Sequence, residues 1–339
     1  MPAATSRPTL LDVARAAGVS RATASRVLAG QTTVDPALAG RVLTAARELD
    51  YRTNTAARAL RSGASGSVAV IVPNSELDGL SGPFVGAPLR GATTTLVAHS
   101  LQPVLLLDDG REPSPLLRYL TSGHVEGAVV ILQRESEALF RQLRGLPVPV
   151  VYVGRPSADL AEGDMFVDSD NYGGARLAAR ALLEGGRRRI ATIAGPGPYL
   201  PATERLRGFT DELAAWGVPP GPVARGDFTM ASGSGAMAQL LRRAPDLDGL
   251  FSQSDLMAVG AIRVLSASGR HVPDDVAVVG FDDTVVAATS DPPLTSVRQP
   301  LQEMGAIAAG LVVRALGGAV GVEPQHVVVE TTLTVRESV

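Results

Sequence analysis

Between residues 68 and 281 the chain repeats one pattern: a short apolar, mostly β-branched run, followed by a longer stretch with helical spacing. The runs are VAVIVP (68–73), PVLLL (103–107), GAVVIL (127–132), VPVVYV (148–153), RIATIA (189–194), GLFSQ (249–253) and VAVVGF (276–281). A continuous run without polar alternation suits a strand covered on both faces. Between the runs lie stretches such as APLRGATTTLVAHS, YGGARLAARALLEGG, TERLRGFTDELAAWG and DLMAVGAIRVLSASG. Strand alternating with helix predicts doubly wound parallel sheets that bind ligands at the carboxyl ends of their strands. Roughly 275 residues is long for one such sheet, so two subdomains with a cleft between them are expected. The closing HVVVETTLTV is strand-like, with period two in VETTLTV.

The first 50 residues are of another kind and predict three short helices. Thr9 can cap LLDVARAA, with Asp12 three residues on to complete a capping box and favour the helix dipole. Gly18 suits a left-handed exit, Ser20 caps RATASRVLAG, and Asp35 caps PALAGRVLTAARELD with Pro36 at its first position. Val13, Val19, Val27, Val42 and Leu43 recur at helical spacing as a miniature core. A linker-like piece, YRTNTAARALRSGASGS, joins this region to the larger one.

Charge divides the chain at the same place. The formal net charge is -3, and the basic residues are all arginine. In residues 1–61 nine arginines face only Asp12, Asp35, Glu48 and Asp50, a net of +5, leaving -8 on the remainder. A basic arm on an acidic body points to a nucleic-acid partner.

Several classes drop out. With no cysteine there is no disulfide scaffold, thiolate metal site or cysteine nucleophile. No run approaches 18 apolar residues and the amino terminus lacks a signal-peptide core, so a cytoplasmic protein with no membrane partner is expected. His99, His124, His271 and His326 show no metal-ligand spacing. GPGPYL (195–200) lacks the third glycine of a dinucleotide loop, and GSG (233–235) is not a nucleophile elbow. Asp282 and Asp283 are adjacent, so on an extended chain they point apart rather than forming an acid pair. No catalytic residue, metal or cofactor is expected.

TLLDVARAAGVSRATASRVLAG has the form of a helix-turn-helix, with Ala14 allowing close approach and Gly18 in the turn. Its second helix would present Ser20, Arg21, Ala22, Ser25 and Arg26 outward, where arginine can read guanine or hold phosphate. A plain helical hairpin is the alternative.

Together with LDYRTNTAARALRSG, DNYGGARLAARAL, TERLRGF, SDLMAVGA, VVGFDDT, PPLTSVRQP and VVETTLTVRES, this stretch resembles the LacI/GalR family of bacterial transcriptional repressors, in the family's order and over nearly the whole chain. The resemblance implies a small all-α helix-turn-helix domain, then two doubly wound subdomains like those of periplasmic binding proteins with a ligand cleft between them. Its boundaries would be a headpiece at 1–52, a hinge helix and linker at 53–66, an N-subdomain of 67–167 plus 298–328, and a C-subdomain of 168–297 plus 329–339. The chain would cross between subdomains near residues 167, 297 and 328.

The residue roles below are those the resemblance implies. Arg21 and Ala22 occupy the main base-reading positions, Arg26 a further contact position, and Thr23 and Ser25 the phosphate-binding hydroxyls. Ala24 stands where the family usually has valine. Leu60 occupies the place of the leucine that the hinge helix inserts into the minor groove, which kinks the duplex. Asp50 and Thr53 replace a usual glycine and proline there.

In the cleft, Arg205 and Asp282 match the effector-binding arginine and acid. Phe84 and Phe228 match aromatic wall residues, and Arg155 follows a strand facing the same cleft. Asp255 is either a ligand contact or a helix cap, because Ser254 replaces the asparagine usual before it. Asp283 and Asn171 would be caps. Aromatic faces with acids and an arginine suit a sugar or polyol, and a purine or nucleoside acting as corepressor would use similar groups. The implied protein is a homodimer that binds a pseudo-palindromic operator under control of that effector. A solute-binding protein would share the cleft without the DNA function.

Overall fold

The computed structural model describes residues 8–28, 34–51, 65–73, 83–108, 115–131, 137–156, 159–161, 163–197, 199–317 and 325–339. The chain forms two compact units, Met1–Ser65 and Gly66–Val339.

The first unit contains α1 (Leu10–Ala17), α2 (Arg21–Leu28) and α3 (Pro36–Glu48). Thr9 and Asp12 form the expected capping box, and Gly18 leaves α1 in the left-handed region at φ 63°. Asp35 caps α3 through the amides of Ala37 and Leu38, with Pro36 in its first turn. Val13, Ala14, Ala17, Ala24, Val27, Val42, Ala45 and Ala46 make the core. Leu43 does not join them: it is 49% exposed, because the inward face of α3 runs through Val42, Ala45 and Ala46 and position 43 lies about 100° round the helix from 42.

In the second unit, the first sheet holds β1 (Ser67–Pro73), β2 (Gln102–Asp108), β3 (Gly127–Ile131), β4 (Val150–Val153), β5 (Met165–Ser169) and β11 (His326–Val329). The second holds β6 (Ile190–Ala194), β7 (Val223–Arg225), β8 (Gly249–Ser252), β9 (Ala277–Asp282), β10 (Thr295–Arg298) and β12 (Thr332–Thr334). Their orders are β11-β5-β4-β3-β1-β2 and β12-β10-β9-β8-β6-β7. All pairings are parallel except β12 against β10. Val68 to Val72 are wholly buried, as the sequence of β1 predicts, whereas β2 is an edge strand that exposes Leu105 and Leu107. The β-branched runs thus became strands. β5, β7 and β10 had no such run to announce them.

Helices cover both sheets: α4 (Pro83–Ala98), α5 (Pro115–Thr121), α6 (Glu137–Leu143) and α12 (Leu301–Leu316) lie on the first. On the second lie α7 (Asn171–Glu184), α8 (Leu200–Ala215), α9 (Met230–Arg243), α10 (Asp255–Ala267) and α11 (Val285–Thr289). The chain passes between the sheets three times: from β5 into α7, from β10 into α12, and from β11 into β12. The tail read as one strand-like stretch is therefore two strands in two sheets, separated at Glu330 and Thr331. Among the described residues, no helix is long and apolar enough to cross a membrane.

Candidate functional site

Helix α2 presents the residues expected to read DNA. Ser20 sits just before it and its hydroxyl accepts the Thr23 amide at 3.0 Å, satisfying an end donor that has no partner within the helix. Ser20 also bonds the Thr23 hydroxyl at 2.8 Å. Arg21, Ala22 and Arg26 are exposed, Thr23 and Ser25 half-buried, and Ala24 and Val27 buried. Arg26 donates through Nε to Ala22 O at 3.4 Å. One cation thus stands in the first turn and one in the last turn of a helix whose opposite side is anchored in the core. From α3, Arg41 donates through Nη2 to the carbonyls of Ala17 and Gly18. That places a cation at the negative end of α1 and ties the turn before α2. Leu60 lies outside the described residues.

In the larger unit a second group gathers at the carboxyl ends of β5, β8, β9 and β10. Arg205 on α8 is only 6% exposed. Its Nε donates to Asn171 Oδ1 at 2.8 Å and its Nη1 to Gln253 O at 2.7 Å. Its Nη1 lies 3.6 Å from Asp282 Oδ1, and its guanidinium stacks 3.6 Å from the Phe281 ring centroid. Gln299, just past β10, donates to Asp282 Oδ1 at 2.7 Å and accepts from Ser169 Oγ at 2.7 Å. One amide thus joins the last residue of β5 to the last residue of β9. Arg155 lies 3.8 Å from Asp168 Oδ2 and 5.3 Å over the Phe166 ring, and its buried Nε has no hydrogen-bond partner.

Burial dominates the electrostatics. It pushes the Asp282 carboxyl up, against the pull of Arg205. Asp168 is pushed up to about 6 by burial, with Arg155 opposing. A buried charge needs partners, and this cluster supplies them in both signs. The backbone is strained at the same spot: Asp282 and Asp283 have φ of 109° and 53°, at a cost of order 1–3 kcal/mol each.

Phe228 also has a left-handed φ, 68°. Its ring meets Tyr199 edge-on at 5.8 Å and covers Gly195, where a Cβ would fall 2.4 Å from the ring. Phe84 is half-buried in the first turn of α4, and no described hydrogen bond, ion pair or ring contact joins it to the Arg205 cluster.

Three expected roles change: Asp283 is no cap, since its carboxylate accepts from Arg336 and Thr334 and the residue before the next helix is Thr284. Asp255 is neither cap nor open ligand group. Ser254 caps α10 through the Met257 amide, while the Asp255 carboxylate, fully buried, accepts from Thr284 N at 2.7 Å, Thr284 Oγ1 at 2.9 Å and Ser296 Oγ at 2.5 Å. Asp170, not Asn171, caps α7, and Asn171 instead orients Arg205. Asp168, Ser169, Gln253 and Gln299 were not singled out from the sequence. The only hint was the polar cluster VDSDN at a strand end.

A unit whose described residues form three helices, the second of them bearing exposed arginines, joined to a two-sheet unit with a buried polar cluster at its strand ends, defines a ligand-responsive DNA-binding regulator. The profile of bacterial regulatory proteins of the lacI family matches residues 9–54, and that of the periplasmic binding protein-like domain matches residues 179–339. The HTH-type transcriptional regulator CelR of Thermobifida fusca is 44% identical over 335 residues, covering 98% of each chain. A solved CelR–cellobiose complex superposes with a TM-score of 0.74 at 42% identity, covering 98% of this chain and 100% of that one. The lac repressor dimer bound to operator and the anti-inducer ONPF shares the fold, with a TM-score of 0.82 at 24% identity over 98% of both chains. The chain belongs to the LacI family of transcriptional regulators. Members of this family bind operator DNA and small-molecule effectors and act as dimers.

Proposed function

We propose that the chain is a homodimeric repressor whose operator affinity is set by a gluco-disaccharide, cellobiose or a close relative, and that it has no catalytic step. The carrying observation is the Arg205–Asp282–Asn171 cluster: buried donors and acceptors of both kinds at the ends of parallel strands, where each sugar hydroxyl needs both. The kinship with CelR, whose cellobiose complex is similar along nearly the whole chain, supports this sugar over others. Arg155, whose buried Nε makes no hydrogen bond, and the ring of Phe228 are the further contacts proposed, with Phe84 as a wall. Asp255 is not among them.

On the DNA side, Arg21 and Arg26 carry base and phosphate contacts, with Ala22 limited to apolar contact such as a thymine methyl. Leu60 is proposed as the minor-groove wedge. A second copy of the chain is favoured by apolar side chains left at the surface. Leu89 and Thr93 of α4 and Leu105 of edge strand β2 line a shallow groove, and Val97 is exposed one turn further along the same stripe of α4. Leu256 and Val285 are exposed on the second sheet's helices.

The test is a mobility shift on DNA upstream of the chain's own gene, with and without cellobiose. A palindromic site bound better than random DNA at physiological salt, with a midpoint moved by cellobiose, supports the reading. Equal binding to random DNA defeats the regulator reading, and a midpoint unmoved by cellobiose but moved by a nucleoside defeats the sugar reading.

A further inference from the structure

The strained bend that carries Asp282 does not hold itself. Arg336 Nη2 donates to Asp283 Oδ1 at 2.6 Å and Thr334 Oγ1 to Asp283 Oδ2 at 2.9 Å. The Asp283 amide donates to Ser296 Oγ at 3.0 Å, and that hydroxyl in turn donates to Asp255 Oδ1. Asp255 Oδ2 takes the amide and hydroxyl of Thr284, the next residue of the bend. Arg336 is itself fixed: Nη1 donates to Leu294 O at 2.7 Å and its amide to Thr295 Oγ1 at 2.9 Å. Gly280 leaves the space this needs, since a Cβ there would fall 2.5 Å from Asp255 Oδ1.

Four elements therefore converge on two residues. Ser296 comes from β10, Asp255 from α10, Thr334 from β12, and Arg336 from the segment after it. Every side-chain donor and acceptor named is used once or twice within the network, and none of these bonds goes to the Arg205 cluster. β12 is the segment reached when the chain leaves the first sheet at Val329, so the bend is gripped by the last of the three passages between the sheets.

We propose that Arg336, Thr334, Ser296 and Asp255 are positioning residues for effector recognition: together they clamp the Asp282–Asp283 bend so that the Asp282 carboxylate is aimed at the ligand. The clamp also makes that aim depend on where β12 leaves the third passage, so a change at the passage and a change in effector affinity are coupled in both directions. The inference rests on the reading that Asp282 receives the effector.

The test compares full-length wild type with Arg336→Gln by amide hydrogen exchange and by titration with cellobiose. The amides of Asp283 and Thr284 are expected to lose protection while those of β8 and β9 keep theirs, and cellobiose affinity is expected to fall at least about ten-fold. Arg336→Lys, which keeps one bond to Asp283, should recover part of both. Thr334→Val removes a single bond and stands in if Arg336→Gln does not fold. Unchanged protection of the two amides overturns the clamp, and lost protection with unchanged cellobiose affinity overturns its role in recognition. If wild type binds no cellobiose, the effector reading fails at that step and the clamp is decided by the exchange comparison alone.

Discussion

Arg205 lies face-on to Phe281, its guanidinium carbon 3.6 Å from the ring centroid, while its donors reach Asn171, Gln253 and the carboxylate of Asp282 beside it. The ring fixes the plane of the fork, and the fork fixes the polar groups around it. Such a stacked, desolvated cation is worth about 2 kcal/mol on its own, and the hydrogen bonds add specificity of direction.

Replacing Arg205 by alanine leaves Asp282 buried without its cation and Asn171 Oδ1 without its donor. Stability measured by urea unfolding should drop by about 3–5 kcal/mol. Arg205→Lys keeps the charge but loses the fork, so a smaller loss of about 1–3 kcal/mol is expected. Cellobiose binding should be abolished in both. Retained affinity in Arg205→Lys would show that the fork geometry is not what the ligand uses.

Stability should depend on pH in a direction set by the buried acids. Asp168 is raised to about 6 and Asp282 is also raised, both by burial. The folded chain therefore holds these protons more tightly than the unfolded chain. Their contribution is full below about pH 4 and is lost as pH rises through about 6 for Asp168, and higher for Asp282. Glu212, lowered by its bonds to Arg176 and Arg180, acts oppositely and fails as pH falls below about 4. Melting temperature should thus decline between about pH 4 and 6, the interval from the unfolded to the folded value of Asp168, and Asp168→Asn should flatten that decline.

Arg21→Ala should cost about 1–3 kcal/mol on the preferred operator and far less on random DNA, relaxing base preference at one position of each half-site. Competition binding over a set of single-base operator variants reads this directly. Equal losses on all of them would assign Arg21 to phosphate.

The described hydrogen bonds of Arg41 go not to α2 but to the carbonyls of Ala17 and Gly18 that precede it. Arg41→Met should lower headpiece stability by about 0.5–1.5 kcal/mol. It should also speed exchange of the Val19 amide, which bonds Ala14 O at 3.0 Å. Operator affinity should fall with the recognition residues intact.

The sequence made some features plain and others not, and the difference is physical. The caps at Thr9 and Asp35 and the buried strands β1, β3 and β9 follow from local chemistry, so their residues announced them. β10 (TSVR) has no apolar run because its residues are spent on contacts: Ser296 bonds Asp255 and Asp283, and Thr295 bonds Ser338 and Arg336. Arg205 and Asp282 were singled out through family resemblance, and the structure places them side by side. Gln299 was not, because it matters only through Asp282, 17 residues away, and through Ser169 in the other sheet; nor was Asp168, whose cation Arg155 comes from the end of the neighbouring strand, where no local pattern pairs the two. By position Asp255 could be a ligand group or a helix cap, and only the closeness of Thr284 and Ser296 shows where its lone pairs go.

The three passages between the sheets bear on synthesis as well as on signalling. Each sheet takes a strand from the final fifteen residues, β11 in one and β12 in the other. Neither lobe can complete its hydrogen-bonded edge while that tail is still inside the ribosome, whereas the helical headpiece depends only on local contacts and is finished long before. During translation the chain thus has an interval in which its DNA-reading unit is folded and its sensor is not, so a regulator of this build acquires its address before it acquires its control.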